Sequence, residues 1–166
     1  ERREEDVPVA LGSEIPVQGV THRVVQGQGR RVVMEGGVIM VPGPVERIGA
    51  RLKGHFKQMA RVRLVGASDE YATRLGKPYE RISIRDTRSR WGSCSSNGTL
   101  MYSWRLIMAP DVVLDYVAAH EVAHLAEMNH SPAYWAGVER IFGDYKPARR
   151  WLKSNGNMLH RFKFGD

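Results

Sequence analysis

Cysteine is almost absent from this sequence: Cys94 is the only one among 166 residues, so no internal disulfide can form. The chain lacks any apolar run near the roughly 20 residues that a bilayer-spanning helix needs. Its opening residues, ERREE, have none of the apolar character of a signal peptide. We therefore expect a cytoplasmic protein with no membrane partner. Because the sequence does not begin with methionine, a processed targeting segment stays open as an alternative.

Acidic residues are fewer than basic ones: 18 aspartates and glutamates against 25 lysines and arginines give a net charge of +7. Such a balance attracts anionic partners, including nucleic acid and acidic proteins. The basic residues are spread along the chain and form no compact tail, which favours a solvated basic face over an obligate nucleic-acid binder. With 42% hydrophobic and 26% charged residues, the composition is that of a globular domain.

The first part of the chain reads as strands and the next as a helix. Residues 15–41 alternate apolar and polar positions between glycines, which predicts a meander of short antiparallel strands. We assign residues 1–43 to this meander, as part of the same domain. Helical spacing then predicts a long amphipathic helix that ends near Gly76, with Gly66 as a candidate break. Its predicted apolar side contains Val45, Ile48, Leu52, Phe56, Met59, Val62, Tyr71 and Leu75.

A hairpin is predicted in the middle of the chain. Residues 91–95 and 100–107 read as strands on either side of Asn97-Gly98, and this dipeptide is the strongest short signal for a hairpin with a type I′ turn. Another strand is predicted around residues 82–84. Three helices follow, which begin at Pro110, at Ser131-Pro132 and at Lys146-Pro147, the last closing in a left-handed cap at Gly156.

The first of these helices contains two histidines and a glutamate in one five-residue segment, His120-Glu121-Val122-Ala123-His124. Residues four apart lie on one helical face, so both imidazoles can reach one metal ion. The carboxylate of Glu121 lies beside them, where it can hold the attacking water as general base. This pattern predicts a zinc site.

A catalytic zinc takes three protein ligands, so two histidines are an incomplete set. His130 supplies the third, because Asn129 can adopt the left-handed conformation that ends a helix and Ser131 begins the next one. We therefore expect His130 in a tight corner between two helices. The interval from His124 to His130 equals that of the metzincin signature, but Glu127 stands where that signature has glycine.

Several segments occur together in an order that resembles the YgjP-like metallopeptidases, a family of metal-dependent hydrolases in the zincin group. The segments are Arg90 to Ser95 (RWGSCS), Trp104-Arg105-Leu106, Ala109-Pro110, Asp115-Tyr116-Val117, the segment from His120 to His124, and Asn129-His130-Ser131. The resemblance extends from Val45 to about Leu159 and is weaker before that. It implies an α+β fold with a zincin-like core at 44–166: a long helix, an antiparallel hairpin sheet, an active-site helix and C-terminal helices.

The resemblance assigns the ligand roles to His120, His124 and His130 and the base role to Glu121. For Trp91, packing of the hairpin is favoured over substrate contact. Arg105, if it faces the cleft, binds a substrate carboxylate or a developing oxyanion. For Cys94, a small buried residue is favoured over a thiolate that would take the open position on zinc.

The leading hypothesis is a zinc metallopeptidase that cuts peptides or proteins, with an extended peptide paired to an exposed edge of the hairpin sheet. Two alternatives stay open. One is a protease that binds nucleic acid through its basic face, for which SprT-like proteases offer a functional analogy. The other is a non-catalytic zinc-binding module, against which an intact Glu121 and only three ligands argue.

Overall fold

Small sheets alternate with helices along the chain. The structure is a computed structural model that describes residues 5–165. Residues 1–4 of the predicted segment 1–43 and residue 166 of the predicted segment 44–166 lie outside that range. The described strands are β1 (Val7–Pro8), β2 (Glu14–Val17), β3 (Val20–Gln26), β4 (Val33–Glu35), β5 (Val38–Val41), β6 (Arg81–Arg85), β7 (Gly92–Cys94), β8 (Thr99–Ser103) and β9 (Phe162–Lys163). The helices are α1 (Ile48–Leu75), α2 (Asp111–Ala123), α3 (Pro132–Phe142) and α4 (Lys146–Leu159), with short 3₁₀ helices at Val45–Arg47 and Trp104–Met108. The predicted α+β class is confirmed.

Helix α1 forms one wall of the core. It ends where predicted, because Gly76 has a φ of 80° and its N–H bonds the carbonyls of Ala72 and Thr73. The helix is unbroken at Gly66, since the packing of its buried face outweighs the roughly 1 kcal/mol that one glycine costs. The predicted apolar side was partly wrong: Val45 and Val62 are 61% and 65% exposed. The buried residues of α1 are Ile48, Gly49, Leu52, Phe56, Ala60, Leu64, Ala67, Ser68, Tyr71 and Ala72.

The N-terminal sheet has the order β2-β3-β5-β4, and the prediction of an all-antiparallel meander is wrong at its centre. Strands β2 and β3 form an antiparallel hairpin, but β5 pairs with β3 in parallel and β4 lies on the outer edge. The physical reason is burial: Ile39 and Val41 of β5 are fully buried, so the more apolar strand takes the central position. No described helix is both long enough and apolar enough to cross a bilayer.

The hairpin sheet has the order β6-β8-β7, with β6 parallel and β7 antiparallel to β8. Gly98 has a φ of 85°, but Asn97 does not have a positive φ, so the predicted type I′ turn is wrong. The loop is longer: Gly98 N–H donates to the Ser95 carbonyl at 3.0 Å. Strand β8 ends at Ser103 instead of continuing to Ile107, because the Ser103 hydroxyl accepts the N–H of Arg105 and starts the 3₁₀ helix.

The three later helices begin where the sequence predicts. Helix α2 follows Pro110, and the Ser131 hydroxyl accepts the N–H of Tyr134 at 3.2 Å to cap α3. Helix α4 also begins at Lys146 but does not close at Gly156. Gly156 lies buried inside that helix, where an added Cβ would come within 3.2 Å of the Trp91 ring, so its role is close packing and not capping.

Two glycines of α1 predict opposite responses to the same change. A Cβ at Gly49 would lie 2.6 Å from the Phe164 carbonyl oxygen, whereas one at Gly66 would meet nothing within 4 Å. We expect Gly49→Ala to lower the free energy of unfolding by about 1–3 kcal/mol through overpacking. The control, Gly66→Ala, should raise it by about 0.5–1 kcal/mol, because the helix is continuous there. Urea denaturation measures both, and equal stability of the two variants would contradict the packing of Phe164 on α1.

Candidate metal centre

Three imidazoles converge where α2 meets α3. His120 lies on α2, His124 follows its last residue, and His130 lies in the loop before α3. One ring atom from each lies within 4.8 Å of the other two, and the Nε2 atoms of His124 and His130 are 3.1 Å apart. Two nitrogens each at about 2.0–2.1 Å from a tetrahedral zinc are separated by about 3.3 Å, so this spacing fits a shared metal ion.

The corner that brings His130 back is built differently from the prediction. Asn129 does not have a positive φ, so it is not the left-handed residue that ends the helix. The chain instead tightens after α2, with the N–H of His124 bonded to the Glu121 carbonyl at 3.2 Å and the N–H of Leu125 to the Val122 carbonyl at 2.9 Å. These three-residue hydrogen bonds satisfy the last carbonyls of α2 without a left-handed residue.

Hydrogen bonds leave the Nε2 atoms of two histidines turned to the shared space. The Nδ1 of His124 lies 3.0 Å from the Glu127 carbonyl, which only accepts, so Nδ1 carries the hydrogen and Nε2 keeps its lone pair. The Nδ1 of His120 pairs with the Tyr116 hydroxyl at 3.2 Å. Partners of this kind orient ligating imidazoles in metal sites.

Burial favours the neutral form of His120 and His124. The pKa of His120 is lowered to about 4, chiefly by desolvation, with further contributions from the nearby His124, His130 and Arg149. The pKa of His124 is also lowered, again chiefly by burial. Neutral imidazole is the form that binds a metal, so His120 and His124 could bind one without first losing a proton.

Glu121 faces the same cleft from α2 and is only 6% exposed. Burial raises the pKa of its carboxyl to about 8, while the nearby Arg90 acts in the opposite direction. Strand β7 passes directly over it: a Cβ at Gly92 would lie 2.9 Å from Cγ and 3.1 Å from Oε2 of Glu121. Only glycine at position 92 lets the strand approach the carboxyl this closely.

An aromatic wall that the sequence analysis missed supports the histidines. Tyr134 donates its hydroxyl hydrogen to the His120 carbonyl at 2.7 Å, and its ring stacks on His124 with centroids 4.4 Å apart. Trp135 contacts the rings of His120 and His130 at 5.6 and 5.9 Å. The available signal was the aromatic pair in the first turn of a helix predicted to start directly after His130.

The cleft has a volume of about 360 Å³. Its described lining residues are Arg90, Gly92, Ser93, Cys94, His120, Glu121, His124, Met128 and His130. Trp91 is not among them: its ring stacks on His160 with centroids 4.9 Å apart and packs against Gly156. The favoured reading of Trp91 as a packing residue therefore agrees with its position, and a substrate contact does not.

Arg105 lies away from the cleft, so its predicted substrate contact is replaced by a structural role. The side chain is buried and its Nε donates to Asp86 Oδ1 at 2.9 Å. Its Nη1 donates to the carbonyls of Leu159 and Phe162 at 2.8 and 2.9 Å. These bonds commit the guanidinium to holding the end of α4 and strand β9. Sequence alone could not exclude the cleft, because the two carbonyl partners are more than 50 residues away.

Cys94 lines the cleft as a half-buried thiol. Burial, with a smaller contribution from the nearby Glu121, raises the pKa of the Cys94 thiol to about 11. Its Sγ donates weakly to the Ser95 carbonyl at 3.5 Å. The expectation of a small buried residue is therefore met only in part, because the thiol is half-buried and lines the cleft.

Comparison with known proteins places this geometry in a family. The family model of the YgjP-like metallopeptidase domain matches residues 1–155. The chain belongs to the YgjP-like metallopeptidase family. No match was found among proteins with curated functions.

A solved structure supports the fold of this YgjP-like chain. The metallopeptidase zymogen abylysin of Pyrococcus abyssi superimposes with a TM-score of 0.50 and 21% sequence identity, over 60% of this chain and 97% of that chain. At this identity the likeness concerns the fold alone, and this metallopeptidase fold is consistent with the predicted zincin-like core. Family and fold together identify a metal-dependent peptidase at the family level.

The close approach of β7 to Glu121 predicts an energetic coupling between positions 92 and 121. We expect Gly92→Ala to lower the free energy of unfolding by about 1–3 kcal/mol, because the new methyl group overlaps Cγ of Glu121. Glu121→Ala removes that atom, so the double variant should lose less stability than the sum of the two single changes. Denaturant unfolding of the four proteins in metal-free buffer measures the coupling. Additive losses would mean that the two residues do not touch.

Proposed function

We propose that this chain is a zinc metallopeptidase in which His120, His124 and His130 hold the metal and Glu121 is the general base. The observation that carries the proposal is the convergence of three imidazoles and one buried carboxyl in a single cleft. Nitrogen donors without a carboxylate among them suit zinc, whereas magnesium and calcium prefer oxygen ligands. Three protein ligands leave a position open, as a catalytic site requires and a structural site does not.

When bound at the three imidazoles, zinc supplies Lewis acidity that lowers the pKa of water towards roughly 7 and polarises a carbonyl group. Glu121, whose pKa of about 8 a neighbouring cation would lower, takes the proton from the attacking water on its carboxylate and later returns it to the leaving amine. Gly92 and the buried surroundings of Glu121 hold that carboxylate in one position and exclude bulk water. Tyr134 and Tyr116 keep the imidazoles in orientation through hydrogen bonds.

The peptide is proposed to bind along β7. This strand is at the edge of its sheet, paired with β8 on one side only, and its residues Gly92, Ser93 and Cys94 line the cleft. An extended peptide can add to such an edge through backbone hydrogen bonds, which give affinity with little demand on sequence. The substrate amide then lies beside Glu121 and the three histidines.

Loss of single histidines tests the proposed ligand set. His124→Ala and His130→Ala should each remove most of the zinc that the wild-type protein retains after dialysis, because the remaining two imidazoles bind far more weakly. The control is His22→Ala, since His22 lies on β3 and bonds only the carbonyl of Val20. Elemental analysis measures the zinc and thermal unfolding checks the fold. A full equivalent of tightly held zinc in either ligand variant would overturn this set.

Glu121→Gln separates an enzyme from a zinc-binding module. The amide keeps the size of the side chain but cannot accept the proton, so hydrolysis of peptides in an unbiased library should fall by about 10²- to 10⁴-fold. Zinc content and melting temperature should stay near those of the wild-type protein. Retained activity with zinc bound would exclude Glu121 as the base. If zinc-loaded wild-type protein cuts no peptide, the peptidase proposal fails and a binding module is favoured.

A further inference from the structure

A second cavity continues the catalytic cleft. It has a volume of about 330 Å³ and lies beside the hairpin turn at residues 95–98. His124 and Met128 line both this cavity and the cleft, so the two form one groove that passes over the histidines. We call it the substrate groove. An extended peptide paired with β7 would run from the cleft past the turn into the second cavity.

A cationic side chain lines each of the two parts of the substrate groove. Arg90 lines the cleft, Lys77 lines the second cavity, and both are exposed. Among the described residues that line the groove, Glu121 is the only one with a carboxyl, and the proposed mechanism uses it for the water. Asp69 shares a different cavity with Lys77 and accepts a hydrogen bond from Tyr79. The remaining polar side chains of the groove are neutral: Ser93, Ser95, Ser96 and Asn97.

The fold fixes the backbone positions from which the two cationic side chains extend. The Arg90 carbonyl accepts the Thr87 hydroxyl at 2.7 Å, and the adjacent Trp91 is fixed by its stacking on His160. The N–H of Lys77 bonds the Ala72 carbonyl at 3.2 Å, directly after the left-handed Gly76 that ends α1. Rim charges at fixed positions raise the local concentration of oppositely charged ligands and bias the register of binding.

We propose that the substrate groove is selective for acidic peptides, with one substrate carboxylate facing Arg90 and another, beyond the histidines, facing Lys77. The inference rests on the proposed peptidase function and names the substrate class of that same site. Charge complementarity carries it, because basic peptides would place like charges beside Arg90 and Lys77. Exposed ion pairs contribute modestly, so we expect each cation to account for a roughly 2- to 5-fold difference in affinity.

Binding to an inactive protein tests the selectivity without relying on turnover. The zinc-loaded Glu121→Gln protein is titrated into two pools of fluorescent short peptides that differ only in having Glu or Gln at alternate positions. The Glu pool should bind more tightly, and raised salt should reduce the difference. Arg90→Gln and Lys77→Gln, each added to that protein, should each reduce the preference about 2- to 5-fold. Arg90→Glu should reduce it further.

Arg88→Gln is the matched control. Arg88 is an exposed arginine two residues before Arg90, but it lines a separate cavity with Asp86 and His160. The preference for the Glu pool should be unchanged in this variant. If Arg88→Gln reduces the preference as much as Arg90→Gln does, the preference for the Glu pool comes from general surface charge and not from the lining of the substrate groove.

The outcomes separate this inference from the proposed function. Cleavage of both pools by wild-type protein with equal kcat/KM would overturn the acidic preference and leave the peptidase intact. Tight binding of the Glu pool without cleavage by wild-type protein would support the acidic preference of the substrate groove and contradict the peptidase proposal. If an unrelated DNA duplex displaces the Glu pool at low concentration and loses affinity in Arg90→Gln, nucleic acid replaces acidic peptide as the occupant.

Discussion

The burial of α2 on nearly every side is the constraint on which the metal centre depends. Apolar residues cover most of its circumference, and α1, α3 and β7 lie against it. A helix buried in this way has a single allowed rotation, because turning it would expose apolar surface and overlap its neighbours. His120 and Glu121 are therefore directed into the cleft by the packing of the rest of the helix. His124 emerges at the helix end, where the chain tightens towards His130.

Strand β7 connects the proposed catalytic residue with the proposed substrate groove. Its backbone lies against Glu121 at Gly92, while its open edge lines the substrate groove. The strand is supported from behind, since Trp91 packs on Gly156 and His160 of the last helix. A buried carboxyl and desolvated imidazoles cost stability in the metal-free protein. A bound cation would offset that cost. The metal-free protein therefore has a lower free energy of unfolding because its site is already arranged for binding.

Features that depend on neighbours in sequence were predictable. The starts of α2, α3 and α4, the end of α1 at Gly76 and the cap at Ser131 follow from residues one to four positions apart. The same local periodicity put His120 and His124 on one face with Glu121 beside them. The order of the motif segments was enough to identify the family, and the family model covers residues 1–155.

Features that depend on partners far along the chain were decided by tertiary structure. The parallel insertion of β5 beside β3, the position of Arg105 against the end of α4, and the packing role of Gly156 all involve distant residues. The aromatic wall at Tyr134 is of the same kind. The sequence by itself identified the side chains that are proposed to carry the chemistry, because spacing along a helix is a local property. Only the tertiary structure decided which of the remaining residues reach the cleft, because burial selects among faces that local periodicity leaves equivalent.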